Sequence, residues 1–334
     1  MKVDTQLTRF ATAAADARRL EAHGLDGVFT FEGPHDVFTP LIVAAGATHS
    51  IELITNVAIA FPRNPVQLAH QAYDLQLLSK GRFTLGLGTQ VRGQIERRYG
   101  TEFERPVARM REKVGALRAI LASWETGERL DFRGEFSSHT LMPPTFNPGP
   151  NPYGLPPIAV GGLGPQMVRL AAEVADGLLV MPFNTADHFR RRTLPAIEEG
   201  LRRGHRERSA LEVTAEVIVC CGRSDAEIEA ARAGVRWLLA FYASTPAYRP
   251  VLEVEGYEDV QPELHTLSKA GRWAEMPALI DDTLLARLAA VGTPKDVAAV
   301  IADRYGGAVD RVAFYTPYQV TDETIGEVVD ALKG

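Results

Sequence analysis

Eight times along the chain, a short apolar run gives way to a longer stretch whose apolar residues recur every three or four positions. Runs of the first kind suit buried strands and stretches of the second kind suit amphipathic helices, so the alternation itself predicts parallel strands joined by helical crossovers. The predicted strands cover residues 2–6, 27–31, 52–60, 82–88, 157–160, 177–181, 211–221 and 309–315. Between them, Phe10, Ala14, Ala17 and Leu20 mark a helix over 8–23 that Gly24 closes. Further helices are predicted over 39–48, 66–80, 106–125, from Pro165, and over 187–203, 225–242, 293–305 and 321–332. Pro106 suits a first helical turn, where a missing N–H goes unnoticed. Ser224 with Glu227 reads as a capping box.

Eight such units close most simply into an α/β architecture of the (β/α)8 TIM-barrel type with loop insertions; an open doubly wound sheet is the competing arrangement. No second core interrupts the pattern, so residues 1–334 read as one domain. Two excursions break the rhythm. Residues 127–157 hold seven prolines among glycines and aromatics, and 244–290 show only weak helical periodicity. In a barrel the βα loops gather at the C-terminal ends of the strands, so chemistry is expected there.

Bulk properties exclude several classes. A net charge of -6 gives no basic surface for phosphate-backbone binding, so no nucleic-acid partner is expected. No window is long and apolar enough for a membrane span, and Met1-Lys2-Val3-Asp4 begins no apolar leader, which points to a cytoplasmic protein without membrane partners. The two cysteines, Cys220 and Cys221, are adjacent in an apolar strand and point to opposite faces, which suits neither a disulfide nor a metal. None of the six lysines ends a predicted strand, which argues against a Schiff base, and neither a Gly-x-Ser-x-Gly elbow nor a His-Glu-x-x-His motif occurs.

Four segments at predicted strand ends could carry chemistry. In Val160-Gly161-Gly162-Leu163-Gly164-Pro165 a buried strand passes through glycines into a helix start, where free N–H groups can cradle a phosphate; a merely tight turn is the alternative. Gly86, Gly88, Thr89 and Gln90 leave room for a flat ring over the barrel mouth, unless the glycines only relieve crowding inside the barrel. Thr55 and Asn56 form a polar pair in an apolar strand, either paired in the core or facing a ligand. Glu32-Gly33-Pro34-His35-Asp36 gathers two carboxylates and an imidazole, a set suited to proton transfer or ring binding; the alternative is a solvated turn with Asp36 capping the next helix. No further ligands for a metal are found, and none is expected.

Taken together, these motifs resemble the bacterial luciferase-like superfamily over residues 2–320. The likeness rests on Thr55-Asn56-Val57, Arg63-Asn64-Pro65, Gly81-Arg82-Phe83-Thr84-Leu85-Gly86-Leu87-Gly88, Pro157–Gly164, Ala175-Asp176-Gly177 and Val291-Gly292-Thr293-Pro294. The resemblance implies a barrel holding flavin mononucleotide (FMN) or the deazaflavin coenzyme F420. The ring would lie over the mouth against Asn56, Val57, Gly88, Thr89 and Gln90, with the phosphate at Gly161, Gly162, Leu163, Gly164 and Pro165. It also implies a cis peptide at Asn56-Val57. The carboxylate that ends the second strand in the deazaflavin branch corresponds to Glu32. Sugar-phosphate dehydrogenases of that branch have His where this chain has Gly33, and their acid after the fourth strand is replaced here near Gln90-Val91, so a sugar phosphate is not the expected substrate. The expectation is hydride transfer between reduced F420 and a small organic substrate, with His35 and Glu32 as catalytic candidates and Arg92, Arg97 and Arg98 near the anionic tail. An FMN monooxygenase using oxygen, and a non-catalytic binding protein, are the alternatives. Apolar helix faces over 39–78 suggest a homodimer, as the family forms.

Overall fold

The computed structural model describes all 334 residues, Met1–Gly334. Twelve strands occur in chain order: β1 (Lys2–Gln6), β2 (Gly27–Thr30), β3 (Glu52–Thr55), β4 (Ala58–Ile59), β5 (Phe83–Gly88), β6 (Phe132–Arg133), β7 (Ser138–His139), β8 (Ile158–Gly162), β9 (Gly177–Val180), β10 (Glu212–Cys221), β11 (Ala289–Gly292) and β12 (Arg311–Tyr315). Eight of them pair in parallel around a ring, in the order β1-β2-β3-β5-β8-β9-β10-β12, and β12 pairs back onto β1. This is a closed (β/α)8 barrel, and the open-sheet alternative is set aside.

The helices are α1 (Ala13–Ala22), α2 (Thr39–Ala47), α3 (Pro65–Leu78), α4 (Arg92–Arg97), α5 (Pro106–Thr126), α6 (Pro165–Val174), α7 (Ala186–His188), α8 (Leu194–Arg203), α9 (Asp225–Ala243), α10 (Arg249–Glu255), α11 (Val260–Lys269), α12 (Asp282–Leu288), α13 (Pro294–Tyr305) and α14 (Asp322–Lys333). Strand alternation decides what faces them. On β10, Val213, Ala215, Val217, Val219 and Cys221 join the main apolar core beneath the helices, while Thr214, Glu216, Ile218 and Cys220 face the other way. The two cysteines are buried, free and in different apolar clusters.

Ions plug the bottom of the barrel. Arg311, fully buried, donates to Asp4 at 2.5 Å and also binds Glu52. Gly27 makes room for this pair, since a Cβ there would lie 2.5 Å from Asp4 Oδ1.

The structure adds elements that the periodicity does not reveal. The loop expected after β5 contains α4, whose single buried residue, Ile95, gives too little apolar signal to register. Strand β11 begins in the last two residues of the predicted 244–290 excursion and runs on to Gly292. It forms because β10 runs past the barrel rim, and its last four residues offer a free edge to which Ala289–Gly292 pair. The rest of that excursion folds into α10, α11 and α12. Their Leu252, Leu264 and Leu284 pack with Phe183 and Ile218 as a lid over the C-terminal end of β10. The proline-rich excursion holds the antiparallel pair β6-β7 and a 3-10 turn at Pro144–Phe146. The predicted helix over 187–203 is interrupted by a π-helical turn at Phe189–Thr193.

Candidate functional site

The acidic turn after β2 divides into three roles. Glu32 points inward: its Oε2 accepts from Ile59 N at 2.9 Å and from Arg63 Nη1 at 2.6 Å, and its Oε1 accepts from the Tyr99 hydroxyl at 2.8 Å. One carboxylate thus ties together the segments after β2, β4 and α4. Burial, with the Glu32 carboxylate second, pushes the Tyr99 phenol up. Asp36 caps α2, accepting from Phe38 N, Thr39 N and Thr39 Oγ1. His35 is exposed and lies with its ring 5.1 Å from that of Phe10, so the structure does not bring it into contact with Glu32.

The polar pair on the third barrel strand also separates. Thr55 is a core residue: its Oγ1 donates to Gly86 O and accepts from Gly86 N, both at 2.8 Å. The next peptide, Asn56-Val57, is cis and breaks the strand into β3 and β4. The Val57 side chain then lies on a floor of glycines. A Cβ on Gly88 would sit 2.3 Å from Val57 Cγ2, and one on Gly161 would sit 3.0 Å from Val57 Cγ1. The space at Gly88 is therefore taken by Val57, and a flat ring would meet Val57 there. Beyond Gly88 the chain turns sharply, with Gln90 at φ +56° and its Oε1 accepting from Val91 N. Thr89 and Gln90 are half-buried at the rim.

The glycine exit after β8 is open. Gly164, Pro165 and Gln166 are exposed, and nothing lies within 4 Å of a Cβ built on Gly164. Gly164 stands at the N-cap of α6 without a side-chain cap. The first helical N–H groups to find a backbone acceptor are those of Met167 and Val168, both on Gly164 O, while the N–H groups of Gly164 and Gln166 have none. Free donors at the positive end of a ten-residue helix are chemically suited to an anion. They lie on the same barrel face as Val57 and Glu32. The arginines after β5 are engaged locally: Arg92 with Glu96, Arg97 with Gly93 O, and Arg98 with Gly33 O. A surface groove of about 780 Å3 is lined by Met1, Lys295, Asp310 and Leu332 at the opposite end of the barrel, where strands begin.

One part of the mouth escaped the sequence reading. Glu216, in the middle of the run Ala215-Glu216-Val217-Ile218, is 7% exposed, and Tyr315 at the end of β12 and Tyr242 from α9 lie beside it. A charged residue within the otherwise apolar stretch Ala215–Cys221 was the signal available.

Residues 2–311 match the family described as luciferase-like monooxygenase. This chain belongs to that family. Among luciferase-like relatives, an uncharacterized protein of Mycobacterium tuberculosis is 46% identical over 313 residues, covering 93% of this chain and 92% of that one. A second M. tuberculosis protein, named as a coenzyme F420-dependent oxidoreductase, is 32% identical over 290 residues, covering 81% of each. The luciferase-like fold here also superposes on the coenzyme F420-dependent tetrahydromethanopterin reductase of Methanopyrus kandleri with a TM-score of 0.82, at 18% identity, over 99% of this chain and 98% of that one. No helix is long and apolar enough to cross a membrane.

Proposed function

We propose that this protein is an oxidoreductase that holds coenzyme F420 at the barrel mouth and exchanges hydride between it and a small organic substrate. The observation that carries the reading is the pair of unsatisfied N–H groups at Gly164 and Gln166, on the same rim as the Val57 shelf. Such donors suit the phosphate of a ring cofactor, and the shelf suits its flat face. The 32% identical relative carries the same cofactor in its name.

The bound deazaflavin would supply the hydride chemistry. The protein's part is to place it. Gly161 to Pro165 would grip the phosphate, and Asn56, Val57, Gly88, Thr89 and Gln90 would set the ring. Glu32, whose two oxygens already accept from three donors, acts as a positioning residue that fixes the wall around Ile59 and Arg63. His35, on the open edge of the turn, is the remaining proton carrier to test; turnover unchanged in His35→Ala removes it from the mechanism. Exposed Ile42, Val43, Leu77 and Leu78 on α2 and α3 suit a second copy of the chain, giving a homodimer.

FMN has a similar tricyclic ring and a phosphate, so the same donors fit it, and the family description favours it as the second reading. Fluorescence titration of the purified protein with F420, FMN and riboflavin decides. The expected order is F420 tighter than FMN by about tenfold or more. Tighter FMN binding reverses the cofactor assignment, and binding of none overturns the reading altogether. Binding without turnover of any carbonyl or imine substrate leaves a cofactor carrier.

A further inference from the structure

Glu216 is a buried carboxyl that the chain leaves alone. It is 7% exposed, and no hydrogen bond or ion pair offsets its burial, which pushes the carboxyl well above the usual range. The alternation of β10 turns it away from the helices and into the barrel, where its register partner on β12 is Ala313, two residues below Tyr315. Tyr315 is half-buried, with its ring 5.6 Å from that of Phe31. From α9, Tyr242 packs on Phe183 and Tyr248 with ring separations of 6.0 Å. On β1, the other neighbour of β12, Gln6 donates to Thr316 but leaves its Oε1 buried and without a partner. In the ring of eight strands β10 lies four places from β3, so this wall stands across the mouth from the Val57 shelf.

The Glu216 oxygens keep some accessible surface inside the barrel, where a ligand can reach them, and carboxyls left without a partner at such places are enriched in function. The chemistry of the wall is specific. Burial, followed by neighbouring negative charge, pushes the Tyr315 phenol to about 12 and that of Tyr242 upward as well, so both stay neutral hydroxyls. The Tyr242 hydroxyl donates to that of Tyr315, so the wall offers the Tyr315 O–H and aromatic faces, with no cation to meet an anion. An uncharged oxygen acceptor fits it, and a carboxylate does not.

We infer that Glu216, flanked by Tyr315 and Tyr242, forms the subsite that receives the carbonyl oxygen of an uncharged, aromatic or apolar substrate, with the Glu216 carboxyl as donor. The inference rests on the mouth being the reaction site, as proposed above. It makes Glu216 a specificity-determining residue.

Acetophenone and benzoate, which differ in a neutral carbonyl against a carboxylate, are the probes. They are titrated by saturation-transfer NMR at pH 7 against the wild type, Glu216→Gln and Glu216→Leu. The expected result is acetophenone binding about tenfold tighter than benzoate to the wild type, retained within about threefold in Glu216→Gln and lost by about tenfold in Glu216→Leu. The melting temperature of Glu216→Leu should not fall, because an unpartnered carboxyl has been removed. Acetophenone failing to bind, benzoate binding as well, or Glu216→Leu binding like the wild type overturns the inference. Should Glu216→Leu fail to fold, the infrared difference between wild type and Glu216→Gln decides: a protonated carboxyl stretch at pH 7 supports it and a carboxylate pair overturns it. F420 titration of the same wild-type sample separates the two readings, since lost cofactor binding with intact carbonyl selectivity counts against the proposed function alone.

Discussion

Val57 occupies the space that a side chain on Gly88 would need: a Cβ there would approach its Cγ2 to 2.3 Å. Two strands are thus fitted to each other at the point where a cofactor ring would rest. Gly88→Ala should overpack this contact, at a cost of about 1–3 kcal/mol. Because the clash is with Val57, the double variant Val57→Ala/Gly88→Ala should recover most of the loss. Urea denaturation of both single variants and the double one measures the coupling; strictly additive effects would show that the glycine is required for another reason.

That contact also shows where the sequence stops being informative. The barrel was readable because strand and helix periods are local properties, written in residues such as Val213, Ala215 and Val217. The passage from strand to helix at Gly161–Gly164 was readable because its glycines and Pro165 are local punctuation, whatever the turn binds. Whether Gly88 makes room for a ligand or for a neighbour depends on which strand lies opposite, which no local pattern encodes. The same holds for Glu32, whose partners Ile59, Arg63 and Tyr99 come from 27 to 67 residues away. Strand β11 was hidden because it depends on an edge of β10 that exists only once the barrel has closed.

Glu32 makes a second test. Its carboxylate meets Arg63, Ile59 N and Tyr99, with side-chain exposures of 9% for Glu32 and 19% for Arg63. Glu32→Gln removes the charge opposite Arg63 and turns one acceptor into a donor facing donors. A loss of about 1–3 kcal/mol follows, whereas Tyr99→Phe, which deletes a single hydrogen bond, should lose about 0.5–1.5 kcal/mol. Thermal melts of the two variants check the ranking. An unchanged melt in Glu32→Gln would show that its role is chemical and not one of positioning.

His188 predicts a pH dependence. Burial first, and the charge of Arg192 second, push its imidazole down to about 4, and its Nδ1 faces Asn184 Oδ1 at 2.9 Å. Asn184 Oδ1 already accepts from Thr185 N, so the Nδ1 atom carries the proton and the ring is neutral. Unfolded, the same imidazole titrates near 6.5. Between these values the unfolded chain binds the extra proton, so this contribution is complete above pH 6.5 and is lost as pH falls toward 4. Its size is on the order of 3 kcal/mol. Between pH 4 and pH 6.5 the wild type should gain about that much stability relative to His188→Gln, because the buried carboxyls Asp4 and Glu216, raised by burial, tilt both curves alike and cancel in the difference. Glu21, held at about 2 by the N–H groups of Ser50, Ile51 and His49 despite its burial, gives way only at lower pH and does not confuse the comparison.

The anion site proposed at Gly164 yields a prediction with two opposite signs. Gly164 sits at the N-cap of α6 with φ -70°, a conformation open to any residue, and a Cβ there meets nothing within 4 Å. In Gly164→Asp the new carboxylate can accept from the free helical N–H groups and lie at the positive end of the helix, which should raise stability by about a few tenths of a kcal/mol. The same carboxylate occupies the place assigned to the cofactor phosphate and repels it. Affinity for both F420 and FMN should therefore fall by about tenfold or more, while riboflavin, which has the ring but no phosphate, should bind as before. Melting temperature and three titrations on one variant suffice. If riboflavin weakens in parallel with FMN, Gly164 touches the ring and not the phosphate; if neither weakens, the phosphate binds elsewhere on the rim.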